Sequence, residues 1–293
     1  MKFLLVAAIW WSGAAAEVKA ADTPSASKQS APSRLAYTHL TNTYWQIWVQ
    51  ELGGESRQLT SSAFDKRSPA WSADGTQLVY RSNNRELYRY DVKAQREERL
   101  CPQLGNMADP VWMPDGRHLL VTRFDATLKD ESAIWLIDLS GSQRTVLTHT
   151  PGLEYAADVS PDSTTMVYIG GKGAGNHELY RMDMATQRVV RLTDNRALEQ
   201  SPKFSPDGTR IAFAADASGN FEIYTMARDG GHVQQLTTWE GMNVSPVWSP
   251  DGSRFLFVSD RGGVLQLWMM DADGGQVRRV EGAPDVVQEP SWR

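Results

Sequence analysis

Two ladders of spacing run through this sequence, and together they leave it few folds. An Asp-Gly pair recurs at Asp74-Gly75, Asp115-Gly116, Asp207-Gly208 and Asp251-Gly252, with Asp162-Ser163 standing in once. Three residues before each Asp come Trp71, Trp112, Val159, Phe204 and Trp248, at intervals of 41, 47, 45 and 44 residues. Another 44 residues from Trp248 reaches Trp292, the penultimate residue. The second ladder is Trp48, Tyr88, Trp135, Tyr180, Tyr224 and Trp268, spaced 40, 47, 45, 44 and 44. Two sets of landmarks in step mean one structural unit repeated along the chain.

The content of the unit is four strands. Asp-Gly supplies the positive φ that a tight turn between strands demands. The Pro ahead of the Trp/Phe position is expected early in its strand, where a missing N–H is tolerated. Leu78-Val79-Tyr80, Leu119-Leu120-Val121, Met166-Val167-Tyr168, Ile211-Ala212-Phe213 and Phe255-Leu256-Phe257 are continuous apolar runs, suited to a strand covered on both faces. Leu87-Tyr88, Ile134-Trp135, Leu179-Tyr180, Ile223-Tyr224 and Leu267-Trp268 read as third strands. Units of 40 to 50 residues with four short strands are propeller blades. At the start, Leu35-Ala36-Tyr37, Ile47-Trp48 and Gln58-Leu59-Thr60 supply second, third and fourth strands with no first strand ahead of them. At the end, Glu289-Pro290-Ser291-Trp292 is a first strand with nothing after it. The expected fold is therefore all-β: a six-bladed β-propeller of four-stranded blades over residues 34–293, closed by its C-terminal strand.

Ahead of the propeller, Lys2 and the apolar run Phe3 to Trp11 have the pattern of an export signal over residues 1–20. Cleavage is expected after Ala16 or Ala20, followed by a Ser/Ala/Pro/Lys linker over 21–33. No segment approaches the roughly 20 apolar residues that span a bilayer, so stable membrane insertion is not expected. The formal charge of −5 is spread along the chain, without the basic stripe that nucleic acid requires. Cys101 is the sole cysteine, which rules out an intrachain disulfide and a thiolate zinc cluster; it is expected as a small buried side chain.

Motifs of chemistry are scarce. His39, His118, His149, His177 and His232 fall at unrelated points of the repeat, as surface or strand-end residues would. The glycine-rich stretch Gly170 to Gly175 lacks the Lys-Ser/Thr of a phosphate loop and reads as a hairpin loop. Asp271-Ala272-Asp273-Gly274 opens like a calcium loop but lacks the closing Glu. Phe124 to Ser132 reads as a charged, solvated turn. Catalytic residues, metal ligands and cofactors are accordingly not assigned.

The first strand of each blade lines the channel, so residues just before the Pro position gather at one mouth from six places in sequence. They are Lys66, Arg67, Asp109, Glu154, Tyr155, Glu199, Gln200, Asn243, Gln288 and Glu289. Such a mixture of charge and hydrogen-bonding groups suits a peptide segment held in a concave opening.

The unit Ser-Pro-x-Trp/Phe-Ser-Pro-Asp-Gly, then an apolar triplet, then Ile/Leu-Tyr/Trp, then Leu-Thr, is similar to the TolB-type (WD40-like, PD40) propeller repeat. The best copies are residues 201–237 and 245–280, and the resemblance covers roughly Arg34 to Arg293. The TolB family carries an α/β domain ahead of its propeller, where this sequence has the short linker. The resemblance implies a periplasmic protein that docks the peptidoglycan-associated lipoprotein Pal, or a related envelope protein or peptide, at the channel mouth, and a monomer is expected. The alternative is a propeller enzyme acting on a saccharide or lactone in the channel, which would want converging His and carboxylate groups there.

Overall fold

The computed structural model describes residues 33–124, 131–149, 151–171 and 177–293. The expected signal peptide, the linker up to residue 32, the centre of the loop after Phe124 and most of the glycine-rich loop lie outside these residues. Among the described residues there are twenty-four strands in six antiparallel sheets of four. Blade 1 takes β1 (Arg34–Thr41), β2 (Tyr44–Glu51) and β3 (Ser56–Gln58) from the start of the chain. Blade 2 is β4 (Lys66–Trp71), β5 (Gln77–Ser82), β6 (Leu87–Asp91) and β7 (Arg96–Leu100). Blade 3 is β8 (Met107–Trp112), β9 (His118–Phe124), β10 (Ser132–Asp138) and β11 (Arg144–Val146). Blade 4 is β12 (Leu153–Val159), β13 (Thr165–Gly171), β14 (Glu178–Asp183) and β15 (Val189–Arg191). Blade 5 is β16 (Glu199–Phe204), β17 (Arg210–Ala215), β18 (Glu222–Ala227) and β19 (Gln234–Gln235). Blade 6 is β20 (Asn243–Trp248), β21 (Arg254–Ser259), β22 (Gln266–Asp271) and β23 (Arg278–Arg279). The last strand, β24 (Val287–Trp292), pairs with β1 and completes blade 1 in the order β24-β1-β2-β3. The inner strands touch in sequence around the ring: β24, β4, β8, β12, β16, β20 and back to β24.

The apolar triplets are second strands, and each is buried from both sides. None of their residues, including Leu35-Ala36-Tyr37, is more than 3 % exposed. Side chains alternate along a strand, so each triplet feeds two neighbouring junctions. Six buried clusters result among the described residues, one per junction. Ala36 and Ile47 meet Leu78 and Tyr80 between blades 1 and 2, while Leu35 and Tyr37 meet Leu256 and Leu267 between blades 6 and 1. The aromatic ladder of the sequence lies on third strands, opposite the last triplet residue: Tyr80 stacks on Tyr88 at 6.0 Å, Tyr168 on Tyr180 at 5.7 Å, and Phe213 on Tyr224 at 5.6 Å. Such cross-strand pairs stabilise a sheet by about 0.2–1 kcal/mol each.

The short motifs that recur along the chain have local jobs. In the Asp-Gly turn the Asp carboxylate replaces missing backbone partners. Asp251 Oδ1 accepts from Ser249 Oγ at 2.6 Å, from Ser253 N–H at 3.0 Å and from Ser253 Oγ at 2.8 Å, and Ser249 Oγ takes the Arg254 N–H at 2.9 Å. Asp74, Asp162 and Asp207 repeat the pattern. Gly252 sits at φ 71° and Ser163, its counterpart in blade 4, at 60°. Leu-Thr closes a blade in a second way. The Thr hydroxyl accepts an N–H from the first half of the third strand: Ile47 to Thr60 at 3.0 Å, Ile134 to Thr148, Leu179 to Thr193 and Ile223 to Thr237, each at 2.9 Å. Blade 2 has Cys101 in that place, 2 % exposed, its thiol pushed up to about 11 by burial.

One expectation changes. The Pro residues stand in mid-strand, with Pro69 the fourth residue of β4. Every inner strand carries a β-bulge there, and the edge facing the channel asks for no ladder bond, so the absent N–H costs nothing.

Candidate functional site at the propeller channel

The bulges build the channel wall. In β4, Arg67 pairs with Arg81 and Ala70 with Val79, so Ser68 and Pro69 together oppose Tyr80. The same two-against-one arrangement recurs in all six inner strands, always opposite the last triplet residue. The first bulged residue is left-handed each time: Ser68 (φ 54°), Asp109 (49°), Ala156 (52°), Ser201 (54°), Ser245 (55°) and Glu289 (52°). None is glycine, and each such conformation costs about 1 kcal/mol or more. All six line a cavity of about 360 Å³ that continues past the Pro and Trp positions to Arg293. Its wall carries the carboxylates of Asp109, Asp158 and Glu289 and the cations of Lys203 and Arg293.

Several of these groups also stitch blade to blade. Glu289 accepts the Ser68 N–H at 2.9 Å and the Thr38 hydroxyl at 3.3 Å. Asp158 accepts the Phe204 N–H at 2.8 Å and Lys203 Nζ at 3.1 Å. Trp112 and Trp248 donate their indole N–H groups to the Ala70 and Lys203 carbonyls, each at 3.2 Å. Asp109 is engaged by the Thr122 hydroxyl at 3.0 Å.

The ten residues expected at the mouth divide by strand alternation. Asp109 and Glu289 reach the cavity wall. Arg67, Tyr155, Gln200 and Gln288 are half-buried one residue earlier on their strands. Among them, Arg67 donates to Gln288 at 2.7 Å and covers the Trp45 ring, while the Tyr155 hydroxyl meets His177 Nδ1 at 2.8 Å. Lys66, Glu154, Glu199 and Asn243 turn inward and are at most 4 % exposed. Lys66 donates to the Ser62 and Phe64 carbonyls and lies over the Phe64 ring. Asn243 donates to Glu222 at 2.9 Å and accepts from Arg261 at 2.8 Å. The Glu154 backbone exchanges bonds with the Ser132 hydroxyl. Burial pushes the Glu199 carboxyl up to about 7, against the bond from Asn195 and with the charge of Glu178 adding to the rise. Asp158, Lys203 and Arg293 on the wall were not among the ten, because they follow the bulge: Asp158 and Lys203 stand just before the landmark residues Val159 and Phe204, and Arg293 just after Trp292.

The remaining histidines scatter, as the sequence suggested: His118 bonds Asp115 in a turn at 2.6 Å, and His39 meets the Val286 carbonyl. Among the described residues no group of three or more His, Cys, Asp or Glu is placed to hold a metal ion. No helix among them is long and apolar enough to cross a membrane.

The family model for the TolB beta propeller domain matches residues 17–195, 123–244 and 196–293. The chain belongs to the TolB propeller family. A TolB homolog of Chlorobium luteolum is 30% identical over 136 residues, covering 46% of this chain and 30% of that protein. The Tol-Pal system protein TolB of Anaeromyxobacter dehalogenans is 31% identical over 121 residues, 40% of this chain and 26% of that protein. The match to this TolB-type propeller thus spans less than a third of either relative. Among solved structures, a putative TolB from Agrobacterium tumefaciens superposes with a TM-score of 0.74 at 23% identity, over 88% of this chain and 91% of that one. TolB from Acinetobacter baumannii gives 0.74 and 23%, over 89% and 66%. At that identity the likeness shows the fold.

Proposed function

We propose that this propeller is a non-catalytic binding protein of the bacterial periplasm, holding a segment of an envelope protein of the Pal type at its channel. The observation that carries the reading is the ring of six bulged strands around one cavity with both signs of charge on its wall. A wall fixed by backbone geometry pays little ordering entropy when a segment enters, which favours recognition of an extended peptide or loop. Arg67, Tyr155, Gln200 and Gln288 extend the contact at the mouth. TolB relatives, one of them a Tol-Pal system protein, support the choice of partner class.

The test is crosslinked capture from envelope extract, followed by binding of the purified captured protein. The parent is compared with Asp109→Asn and with Arg278→Ala on the outer strand β23. Parent and Arg278→Ala are expected to capture one envelope protein, and Asp109→Asn to bind it at least about tenfold more weakly, as loss of one charged hydrogen-bonding group implies. Capture that is indifferent to Asp109 sinks the channel reading and turns attention to saccharides.

A further inference from the structure

At three blade junctions a polar residue near the start of a third strand lies beside the residue that opens the next inner strand. Between blades 5 and 6 these are Glu222 and Asn243. Asn243 Nδ2 and the Thr237 hydroxyl donate to Glu222 Oε2, and the Trp239 N–H donates to Oε1, so both oxygens are satisfied. Between blades 1 and 2, Gln46 and Lys66 both donate to the Ser62 and Phe64 carbonyls. The junction between blades 4 and 5 differs: it holds two carboxyl groups, Glu178 and Glu199, each 2 % exposed.

Asn195 ties the two together. Its backbone N–H donates to Glu178 Oε1 at 3.2 Å and its side-chain Nδ2 to Glu199 Oε1 at 2.8 Å. The second oxygen of each, Oε2, is buried without a hydrogen-bond partner among the described residues. Arg191 reaches Glu178 at 2.7 Å and Asp194 at 2.9 Å, and among the described residues no ion pair reaches Glu199. The other titratable groups around Glu199 are Tyr155 on β12, bonded to His177, and Asp216 after β17, which accepts the neighbouring Leu198 N–H at 2.7 Å. None of these supplies a cation to Glu199.

Two buried carboxylates side by side require either a cation or a proton. A calcium ion asks for six to eight oxygen ligands, and the described residues gather no third acidic or histidine ligand there. A proton needs no cavity. We propose that the junction of blades 4 and 5 is a proton-controlled joint, closed while Glu199 is a neutral carboxylic acid and loosened when Glu178 and Glu199 are both anions. The joint is one residue from Gln200 and two from Ser201, whose left-handed backbone lines the cavity, so it sets the channel wall at blade 5. This inference does not rest on the identity of the channel ligand.

The sign follows from the direction of the shift. An unfolded Glu ionises near 4.5 and the buried Glu199 near 7, so the joint contributes fully below pH 4.5 and its contribution is lost as the pH rises to about 7. Urea unfolding of the full chain and of Glu199→Gln between pH 4 and 8 reads this directly. The parent is expected to lose on the order of 100-fold in its folding equilibrium relative to Glu199→Gln across that window. Carbon-13 titration of the glutamate carboxyls in the parent supplies a second readout that needs no variant. One signal with a midpoint near 7 supports the joint even if Glu199→Gln fails to fold. Parallel stability curves, a parent in which every Glu titrates in the ordinary range, or a calcium-dependent stabilisation that needs Glu199 would each overturn it.

Discussion

A single oxygen does several jobs in the Asp-Gly turns, and the turns should fail one bond at a time. Ser249 is 3 % exposed and links the Asp251 carboxylate to the Arg254 N–H. Ser249→Ala leaves that N–H without its partner and is expected to cost about 1–2 kcal/mol, read as a lower urea midpoint with an unchanged slope. The bonds from Ser249 and Ser253, Ser249 first, hold the Asp251 carboxyl down at about 2, and those from Ser72 and Thr76 do the same for Asp74. A depressed carboxyl contributes stability at neutral pH that is lost as the pH falls from about 4 through about 2. Acid unfolding should therefore be shallower in that window for Asp251→Asn, which starts from lower stability and has no proton to gain.

At the scale of the strand, the Thr that follows the last Leu of blades 1, 3, 4 and 5 acts as a clasp. Thr237 is 4 % exposed; it accepts the Ile223 N–H and donates to the buried Glu222 carboxylate. Thr237→Ala is expected to lower stability by about 1–3 kcal/mol and Thr237→Ser by much less, measured by the same denaturation. Strands, turns and blade boundaries were legible in the sequence because each leaves a residue-type mark: an aromatic every 44 residues or so, Asp-Gly at a hairpin, three apolar residues in a buried strand. The bulge leaves no such mark beyond the Pro beside it. One extra residue reverses the alternation, which is why Lys66, Glu154, Glu199 and Asn243 turn into the junctions while the bulged Asp109 and Glu289 face the cavity. Six residues of types as different as Ser, Asp, Ala and Glu in one backbone conformation could not be read from side-chain preference.

The whole ring depends on its closure. Six face-to-face junctions close the ring, and β24 covers the inner edge of blade 1. Removing residues 287–293 takes Glu289 from the Ser68 N–H and Val287 from the cluster between blades 6 and 1. The shortened chain is expected to lose cooperative unfolding and to aggregate through the bared edge of β1, which size exclusion and circular dichroism would register; a monomer that unfolds in one sharp transition would contradict this. The two ends of the propeller meet in a reciprocal pair, the Arg34 N–H to the Arg293 carbonyl at 2.5 Å and the Arg293 N–H to the Arg34 carbonyl at 2.8 Å. A ribosome adds roughly 5–20 residues per second, so the first blade to emerge waits, three-stranded, for the whole interval until the last residues are released. During that wait the edge of β1 that β24 will cover, and the apolar side of blade 1 that will pack on blade 6, stay open to other chains. The order of synthesis thus leaves the opening blade in need of protection for that whole interval.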